Sequence, residues 1–409
     1  MAVHLLNTDK FKTVSIVLKF KAPLDIQTMS ERAILSKLIQ KTSKRYPNEQ
    51  AMINHLAYLY GANLYSHVIK QNNAHVFTVG IDVINDKYLE DEDVLQQAFQ
   101  LLNEVIYHPN VDDFQFKDEL INVEKHLFRN KYDAIKENLG QYGFYQLLKA
   151  MFEDQSMQNP AFGDIHHLYT VTGHDVYRAY QSMLNQDEVE LFVVGDIDSA
   201  RINTLVHQYL KLPDNCVKLS NIKLKQRHQV QTLVEHIDTK QARINMGYQF
   251  DVRHAEKSYF SFIILNQIFG GDPSSLLFTN VREKLSLAYQ IHSQIDARSG
   301  ILYVLSGVNQ DKRQQAIDTI QAEFENIKSG NFDVNLLETA KRLVINQKKE
   351  SLDRPKGFIE IEFSNTFGSI VTEEEWIKGI NAVTKEDIIQ LAQTGILHTI
   401  HCLTSEESE

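Results

Sequence analysis

The sequence predicts an α+β fold of two homologous domains, each a largely antiparallel sheet with helices packed on one face. Strand patterns run into long helical patterns without the regular strand–helix alternation of a parallel sheet. The same succession of patterns occurs twice along the chain. The 409 residues are also enough for two large cores, since a domain typically has about 150 residues.

The internal repeat rests on three pairs of markers that occur in the same order in both halves. A strand pattern at 75–83 precedes Asp-Lys and a helical pattern, as does the strand pattern at 301–308. The other two pairs are Asn110-Val-Asp with Asn331-Phe-Asp and Val171-Thr-Gly-His-Asp-Val with Val383-Thr-Lys-Glu-Asp-Ile. Together with the break at Leu212-Pro213, the repeat predicts domains at 1–215 and 230–409.

Helix starts can be read from capping residues. Thr172 and Thr384 each have an aspartate three residues later, so the hydroxyl can accept from a first-turn amide while the acid favours the positive helix end. Thr28 with Glu31 has the spacing of a capping box for an earlier helix. These positions predict where the helical patterns begin.

Composition and charge exclude several classes of protein. The net charge is −11, and without a basic excess we expect no nucleic-acid partner. No apolar stretch approaches 18 residues and the start has no basic segment before an apolar run, so we expect no membrane segment and a cytoplasmic location. Two cysteines far apart, Cys216 and Cys402, do not suggest a disulfide scaffold.

Three stretches resemble the pitrilysin/insulinase family of zinc peptidases, in its mitochondrial-processing-peptidase-like branch. They run over 46–64, over 159–198, and over Phe269-Gly-Gly-Asp-Pro-Ser-Ser-Leu-Leu-Phe-x-x-Val-Arg-Glu-Lys-Leu-Ser-Leu-Ala-Tyr289, the sharpest match. The resemblance covers nearly the whole chain. It implies two similar domains that close like a clamshell around a chamber.

The zinc motif of that family is missing. Family enzymes carry His-x-x-Glu-His on the first helix, where histidines four apart bind zinc and the glutamate acts as general base. The resemblance places the motif over Ala33, Ser36 and Lys37, and neither His-x-x-Glu-His nor His-Glu-x-x-His occurs in the sequence. The family's third ligand is a downstream glutamate, for which Glu119 and Glu124 lie in the right region.

The substrate-handling segment of the family is present. The resemblance implies that Arg282 contacts the peptide backbone and that Tyr289 donates a hydrogen bond toward the carbonyl under attack. The segment Gly270-Gly271-Asp272-Pro273-Ser274 is expected to be a flexible loop that lines the chamber, with Gly270 and Gly271 binding substrate. The alternative from the residues alone is that Arg282 makes a helix salt bridge and Tyr289 is a core aromatic at the start of a strand.

A chain with Arg282 and Tyr289 but no metal motif has half of an active site. The resemblance therefore predicts the non-metal-binding subunit of a heterodimeric zinc peptidase, inactive alone and without a cofactor of its own. The expected partners are a paralogous zinc-bearing subunit and unfolded peptide, and a homodimer is a further possibility. The alternative is a catalytically inert structural or peptide-binding protein of the same fold.

Overall fold

The computed structural model describes residues 1–90 and 93–406, which divide into two compact units. Unit 1 comprises 1–132, 159–221 and 351–364, and unit 2 comprises 133–158, 222–350 and 365 onward. Two segments therefore lie in the unit that is formed mainly by the other half of the sequence: 133–158 lies in unit 2, and 351–364 lies in unit 1. The division at 1–215 and 230–409 stays a prediction about the repeat, and the compact units cut across it.

Unit 1 is built on a five-stranded mixed sheet with the order β1-β7-β2-β4-β3. Only β1 and β7 pair in parallel. The strands of this half, with the short hairpin β5–β6, are β1 Ala2–Asn7, β2 Thr13–Pro23, β3 Asn63–Gln71, β4 Ala74–Ile84, β5 Val111–Asp112, β6 Gln115–Phe116 and β7 Glu188–Gly195.

Unit 2 repeats this sheet with the order β10-β11-β9-β12-β8. Its strands are β8 Gln231–His236, β9 Gln241–Gln249, β10 Ala288–Asp296, β11 Ile301–Asn309 and β12 Ile396–Thr404. Read from β8, the connectivity equals that of the first sheet, and again only the outer pair, β8 with β12, is parallel. The α+β prediction is confirmed, with two mixed sheets in which most pairings are antiparallel.

The helices occupy most of the remaining chain. Their bounds are α1 Ile26–Lys41, α2 Glu49–Tyr58, α3 Val94–Tyr107, α4 Asp118–Glu137, α5 Leu139–Met151, α6 Gln155–Gln158, α7 Ile165–Thr170, α8 Gly173–Gln186, α9 Ser199–Tyr209, α10 Lys257–Asn266, α11 Arg313–Lys328, α12 Val334–Ser351, α13 Pro355–Asn365, α14 Glu373–Ala382 and α15 Lys385–Thr394. Two π-helical turns, Gln267–Gly271 and Leu277–Lys284, follow α10. In the described part of the chain, no helix combines the length and apolarity needed to span a bilayer.

Helices cover both faces of each sheet, so the prediction of helices on one face is wrong in this respect. In unit 1, α13 lies on the face opposite α1, where Phe363 meets Phe192 edge-on. In unit 2, α5 packs on the odd-numbered side chains of β11, such as Ile301 and Tyr303, whereas Leu302 faces the main core. The side chains on this second face, among them Lys19, Thr78 and Phe192 in the first sheet, are also buried, so each sheet has a second cover. The helix from the other half of the sequence supplies it.

The helix starts agree with two of the three capping predictions. Thr172 with Asp175, and Thr384 with Asp387, form reciprocal capping boxes. The Thr28 prediction is wrong, because α1 begins earlier: the Asp25 side chain accepts from the Gln27 amide and caps the helix.

Candidate functional site

The degenerate motif positions on α1 are occupied by packing residues. Ala33 is fully buried in the core of unit 1, and Ser36 is 1% exposed. The Ser36 hydroxyl donates to the Ala33 carbonyl at 2.7 Å, a hydrogen bond within the helix's own turn. A methyl group and a hydroxyl already used by the backbone supply neither a metal ligand nor a general base.

Lys37 is half-buried, and its ammonium donates to the Ser66 carbonyl on edge strand β3 at 3.1 Å. The Ser66 amide donates to the Gln40 side chain at 2.9 Å. Two side chains of α1 thus satisfy both backbone groups of Ser66. Burial lowers the pKa of Lys37, and the nearby Lys131 ammonium adds to the effect while the Glu124 carboxylate opposes it.

Of the two glutamates proposed as a third ligand, only Glu124 is buried beside α1. Glu124 is 2% exposed and its carboxylate pairs with the Lys41 ammonium at 2.7 Å, whereas Glu119 is exposed on α4. Among the described residues, no three His, Cys, Asp or Glu side chains are grouped so that they could hold a metal ion. The Lys41 ammonium therefore already neutralises the Glu124 carboxylate. The residues at this position do not fit a zinc ion.

Lys41 was missed by the sequence reasoning. It lies four residues after Lys37, so both lysines share one face of α1. Lys37 and Lys41 lie on the helix face where family enzymes have their metal ligands. Two lysines at these positions predict a carboxylate on the facing element, and Glu124 is that carboxylate.

Arg282 lies in the second π-helical turn of unit 2 and its side chain is exposed. Its guanidinium carbon is 4.4 Å from the centroid of the Phe278 ring, a cation–π contact one turn back. Arg282 has no carboxylate partner within the described ranges, so the salt-bridge alternative lacks a contact. The guanidinium N–H groups remain free to bind acceptors outside the chain.

Tyr289 is 57% exposed at the second position of β10, so it is not a core aromatic. The pairing of β10 with β11 shifts register between Ala288 and Gln290, which places Tyr289 at a bulge of this edge strand. Bulges redirect side chains, and here the hydroxyl reaches Asn309, to which it donates at 2.8 Å. Tyr289 is thus an exposed hydrogen-bond donor held by one weakly buried partner.

The loop predicted over 270–274 is π-helical in its first two residues, where that prediction is wrong, and 272–274 form a turn outside the helix. Gly270 and Gly271 end the first π-helical turn. A Cβ on Gly270 would lie 2.8 Å from the Ser293 amide nitrogen, so this glycine permits close packing of the turn against β10. Gly270 is buried, whereas Gly271 is exposed, and only Gly271 presents backbone to the surface.

Comparisons with known proteins agree with these features. A family model described as the Peptidase M16 inactive domain matches residues 170–344. The probable inactive metalloprotease YmfF of Bacillus subtilis (strain 168) is 29% identical over 410 residues, which cover all of this chain and 96% of that protein.

Two further relatives extend the comparison. The uncharacterized zinc protease YmxG of the same B. subtilis strain is 25% identical over 303 residues, covering 72% of this chain and 71% of that protein. The crystal structure of a conserved protein from Enterococcus faecalis V583 superimposes with a TM-score of 0.93 at 32% identity, covering 100% of this chain and 97% of that one.

Proposed function

Because this chain belongs to the M16 peptidase family, we propose that it is the non-metal-binding subunit of a heterodimeric zinc peptidase. In this proposal the partner contributes the zinc site and this chain contributes Arg282 and Tyr289 to the handling of peptide. The observation that carries it is the contrast between the two halves of the site. The metal-motif positions are packed or cationic, whereas both substrate-handling side chains are exposed.

The residues at the metal-motif positions of this chain do not support metal chemistry. A hydrolytic zinc site needs neutral or anionic donors around the ion. Here Ala33 has no donor atom, and the Lys41 ammonium already neutralises Glu124. The name of the B. subtilis relative, a probable inactive metalloprotease, agrees with a chain that cleaves no peptide alone.

The two retained side chains can both act on a bound peptide. When water attacks a peptide carbonyl, its oxygen gains negative charge, and a preplaced O–H donor there lowers the barrier. The Tyr289 hydroxyl can move from Asn309 to such an oxygen without loss of a hydrogen bond. The Arg282 guanidinium, held over Phe278, can bind carbonyl oxygens of an extended peptide in ground and transition states alike.

A paralogous partner is favoured over a second copy of this chain. A homodimer would contain two copies of Ala33, Ser36 and Lys37 and no complete set of ligands. Bacillus subtilis has both a probable inactive relative and a relative named as a zinc protease, so the two kinds of chain occur together in one organism. We propose that the pair closes as a clamshell around unfolded peptide.

The test is to co-express this chain with the zinc-bearing relative from the same genome and to confirm the heterodimer by size. The values of kcat and KM are then measured on a short unstructured peptide. Tyr289→Phe should lower kcat by roughly a hundredfold and leave assembly intact, since one such donor contributes about 3 kcal/mol. Arg282→Ala should mainly raise KM. Metal analysis after dialysis should find zinc in the complex and none in the isolated chain.

The alternative, an inert structural or peptide-binding protein, has an observation of its own. Both side chains already have partners within unit 2, Phe278 for Arg282 and Asn309 for Tyr289. Asn309→Ala separates a structural role of Tyr289 from a catalytic one. It removes the hydrogen-bond partner of the Tyr289 hydroxyl but keeps the hydroxyl itself. Wild-type kinetics in Tyr289→Phe and Arg282→Ala complexes would favour the inert protein, as would a complex with no turnover at all.

A further inference from the structure

A cavity of about 510 Å³ lies in unit 1 between the sheet and the first turns of α13. Its floor is the sheet face opposite α1, where β2, β4 and β3 run side by side. One cross-strand row there consists of Lys19, Thr78 and His67, which are paired in register. A volume of this size is typical of small-molecule sites.

The floor contains an unsatisfied polar group. Thr78 is 2% exposed, and its hydroxyl has no hydrogen-bond partner among the described residues. Buried hydroxyls are normally paired, because leaving one unpaired costs free energy. Thr78 is one of the residues that line the cavity, and its unpaired hydroxyl is a group that an acceptor bound there would satisfy.

The next row of the floor is shaped for an apolar group. Gly80 stands between Val17 and Tyr65, and a Cβ on Gly80 would lie 2.4 Å from the Tyr65 ring. The absence of that Cβ lets the ring lie flat over the strand. With Ile359 from α13, Val17 and Tyr65 form an apolar wall beside the polar row.

The charges of the cavity are unbalanced toward the positive. The Lys19 ammonium pairs with Glu360 at 2.7 Å, and Asp82 accepts from the Ser15 hydroxyl at 2.6 Å. Arg354 and Lys356, at the exposed rim, have no ion-pair partner in the ranges that the structure describes. The three cations Lys19, Arg354 and Lys356 outnumber the two carboxylates Asp82 and Glu360, so the lining has an excess of one positive charge.

The start of α13 adds to this positive field. The helix is 11 residues long, begins with Pro355 and has no acidic residue in its first turn. The positive end of a helix dipole favours an anion, and here the field rather than free N–H groups acts, since Pro355 has no N–H and the Gly357 N–H donates to the Arg354 carbonyl at 2.9 Å. Burial lowers the pKa of His67, and Lys356 and Lys19 add to the effect, so the ring is neutral at pH 7 and accepts or donates without charge.

We propose that this cavity binds a small monocarboxylate with an apolar body. The carboxylate would lie between Arg354, Lys356 and the Thr78 hydroxyl, and the apolar body would lie against Val17 and Ile359. A single negative charge matches the excess of one positive charge, whereas a dianion would meet Asp82 and Glu360. The ligand is either the carboxyl terminus of a peptide or a free short acid, which share this chemistry.

Calorimetric titration of the isolated full-length chain tests the proposal with four probes. They are N-acetyl-Leu-Leu with a free carboxylate, its carboxamide, 4-methylpentanoate and inorganic phosphate. We expect the peptide acid to bind at least tenfold more tightly than the amide. Binding of 4-methylpentanoate as well would identify a free short acid as sufficient, and its failure would identify a peptide terminus. Phosphate binding without binding of either carboxylate would overturn the proposal.

Substitutions of cavity residues test whether the acid binds in this cavity. Thr78→Val keeps the side-chain shape and removes the unpaired hydroxyl, so folding should be unchanged or improved while the acid binds about fivefold more weakly. Arg354→Ala/Lys356→Ala should weaken the acid at least tenfold, and the control Arg342→Ala/Lys349→Ala on α12 should leave it unchanged. Wild-type affinity in both cavity variants would refute the site. The titrations need no partner, so the outcome is independent of the proposed peptidase role.

Discussion

At the scale of single residues, a buried polar network ties α1 to the sheet of unit 1. The Arg32 guanidinium pairs with Asp187 at 2.8 Å and donates to His75 Nδ1 at 3.0 Å. His75 Nε2 donates to the Ala161 carbonyl at 2.8 Å. Burial, together with the Arg32 charge, lowers the pKa of His75 to about 3. The folded chain therefore keeps this imidazole neutral throughout the mildly acidic range.

This network predicts an acid-dependent loss of stability. An unfolded histidine has a pKa of about 6.5, so below that pH the unfolded chain takes up a proton that folded His75 rejects. Between pH 7.5 and 5.5 the free energy of unfolding should fall by about 1.4 kcal/mol from this group. His75→Gln can keep both hydrogen bonds and should remove this part of the pH dependence. Urea unfolding of both proteins at the two pH values measures the difference, and equal pH slopes would contradict it.

The Lys41–Glu124 pair predicts a second effect at this scale. Lys41→Met would leave the Glu124 carboxylate buried and unpaired, at a cost of about 2 kcal/mol in the free energy of unfolding. Adding Glu124→Gln should restore most of that loss, because the uncompensated charge disappears. The urea midpoint is the measurement and exposed Lys44→Met is the control. A Lys41→Met chain as stable as the control would show that the ion pair contributes nothing.

At the scale of elements, α13 covers the second face of the first sheet. Lys19, Glu360 and the Phe363 ring meet there: the ammonium is 2.7 Å from the carboxylate and 4.2 Å from the ring centroid. Burial lowers the pKa of Lys19, and Glu360 opposes that shift. The helix therefore binds the sheet through the Phe363 ring and a partly buried ion pair, and Glu362 adds a contact of 3.4 Å with His4 on β1.

Phe363→Ala tests how strongly α13 is held. Phe363 is fully buried and packs edge-on against Phe192 with ring centroids 6.0 Å apart. Removal of a buried phenylalanine costs about 3–5 kcal/mol. Phe358→Ala on the same helix is the comparison, since Phe358 is only half-buried and should cost less. Calorimetric or urea unfolding gives the loss of unfolding free energy for both variants. A smaller loss for Phe363→Ala than for Phe358→Ala would mean that α13 is weakly attached.

At the scale of the whole molecule, the two sequence halves exchange helices. α5 belongs to the first half but packs in unit 2, and α13 belongs to the second half but packs in unit 1. Each compact unit therefore requires both halves of the chain.

The exchange predicts that neither half folds alone. A fragment of 1–215 would lack α13 and expose the face that carries Phe192, and its α5 would lack β9 and β12. It should show no cooperative unfolding and should aggregate through its exposed apolar surface. Co-expression with 230–409 should restore a soluble complex with the near-ultraviolet circular dichroism of the intact chain. Cooperative unfolding of the isolated fragment would refute the prediction.

The sequence determined the local features, because these depend on residues close together in the chain. The capping boxes at Thr172 and Thr384, the repeated strand and helix patterns, and the missing zinc motif all follow from spacing alone. The family was also predicted from sequence and is confirmed. The Thr28 error arose because Asp25 offers a competing cap three residues earlier, and both have plausible spacing.

Tertiary structure decided the features that need contacts between distant residues. The pairing of Lys41 with Glu124 joins α1 to α4, and spacing could not choose Glu124 over Glu119. The helical packing of Gly270 depends on Ser293 of β10, which occupies the space a side chain would need. The exchange of α5 and α13 also depends on distant contacts. The second face of β2 carries Ser15, Val17, Lys19 and Lys21, and nothing in that pattern says which helix covers it.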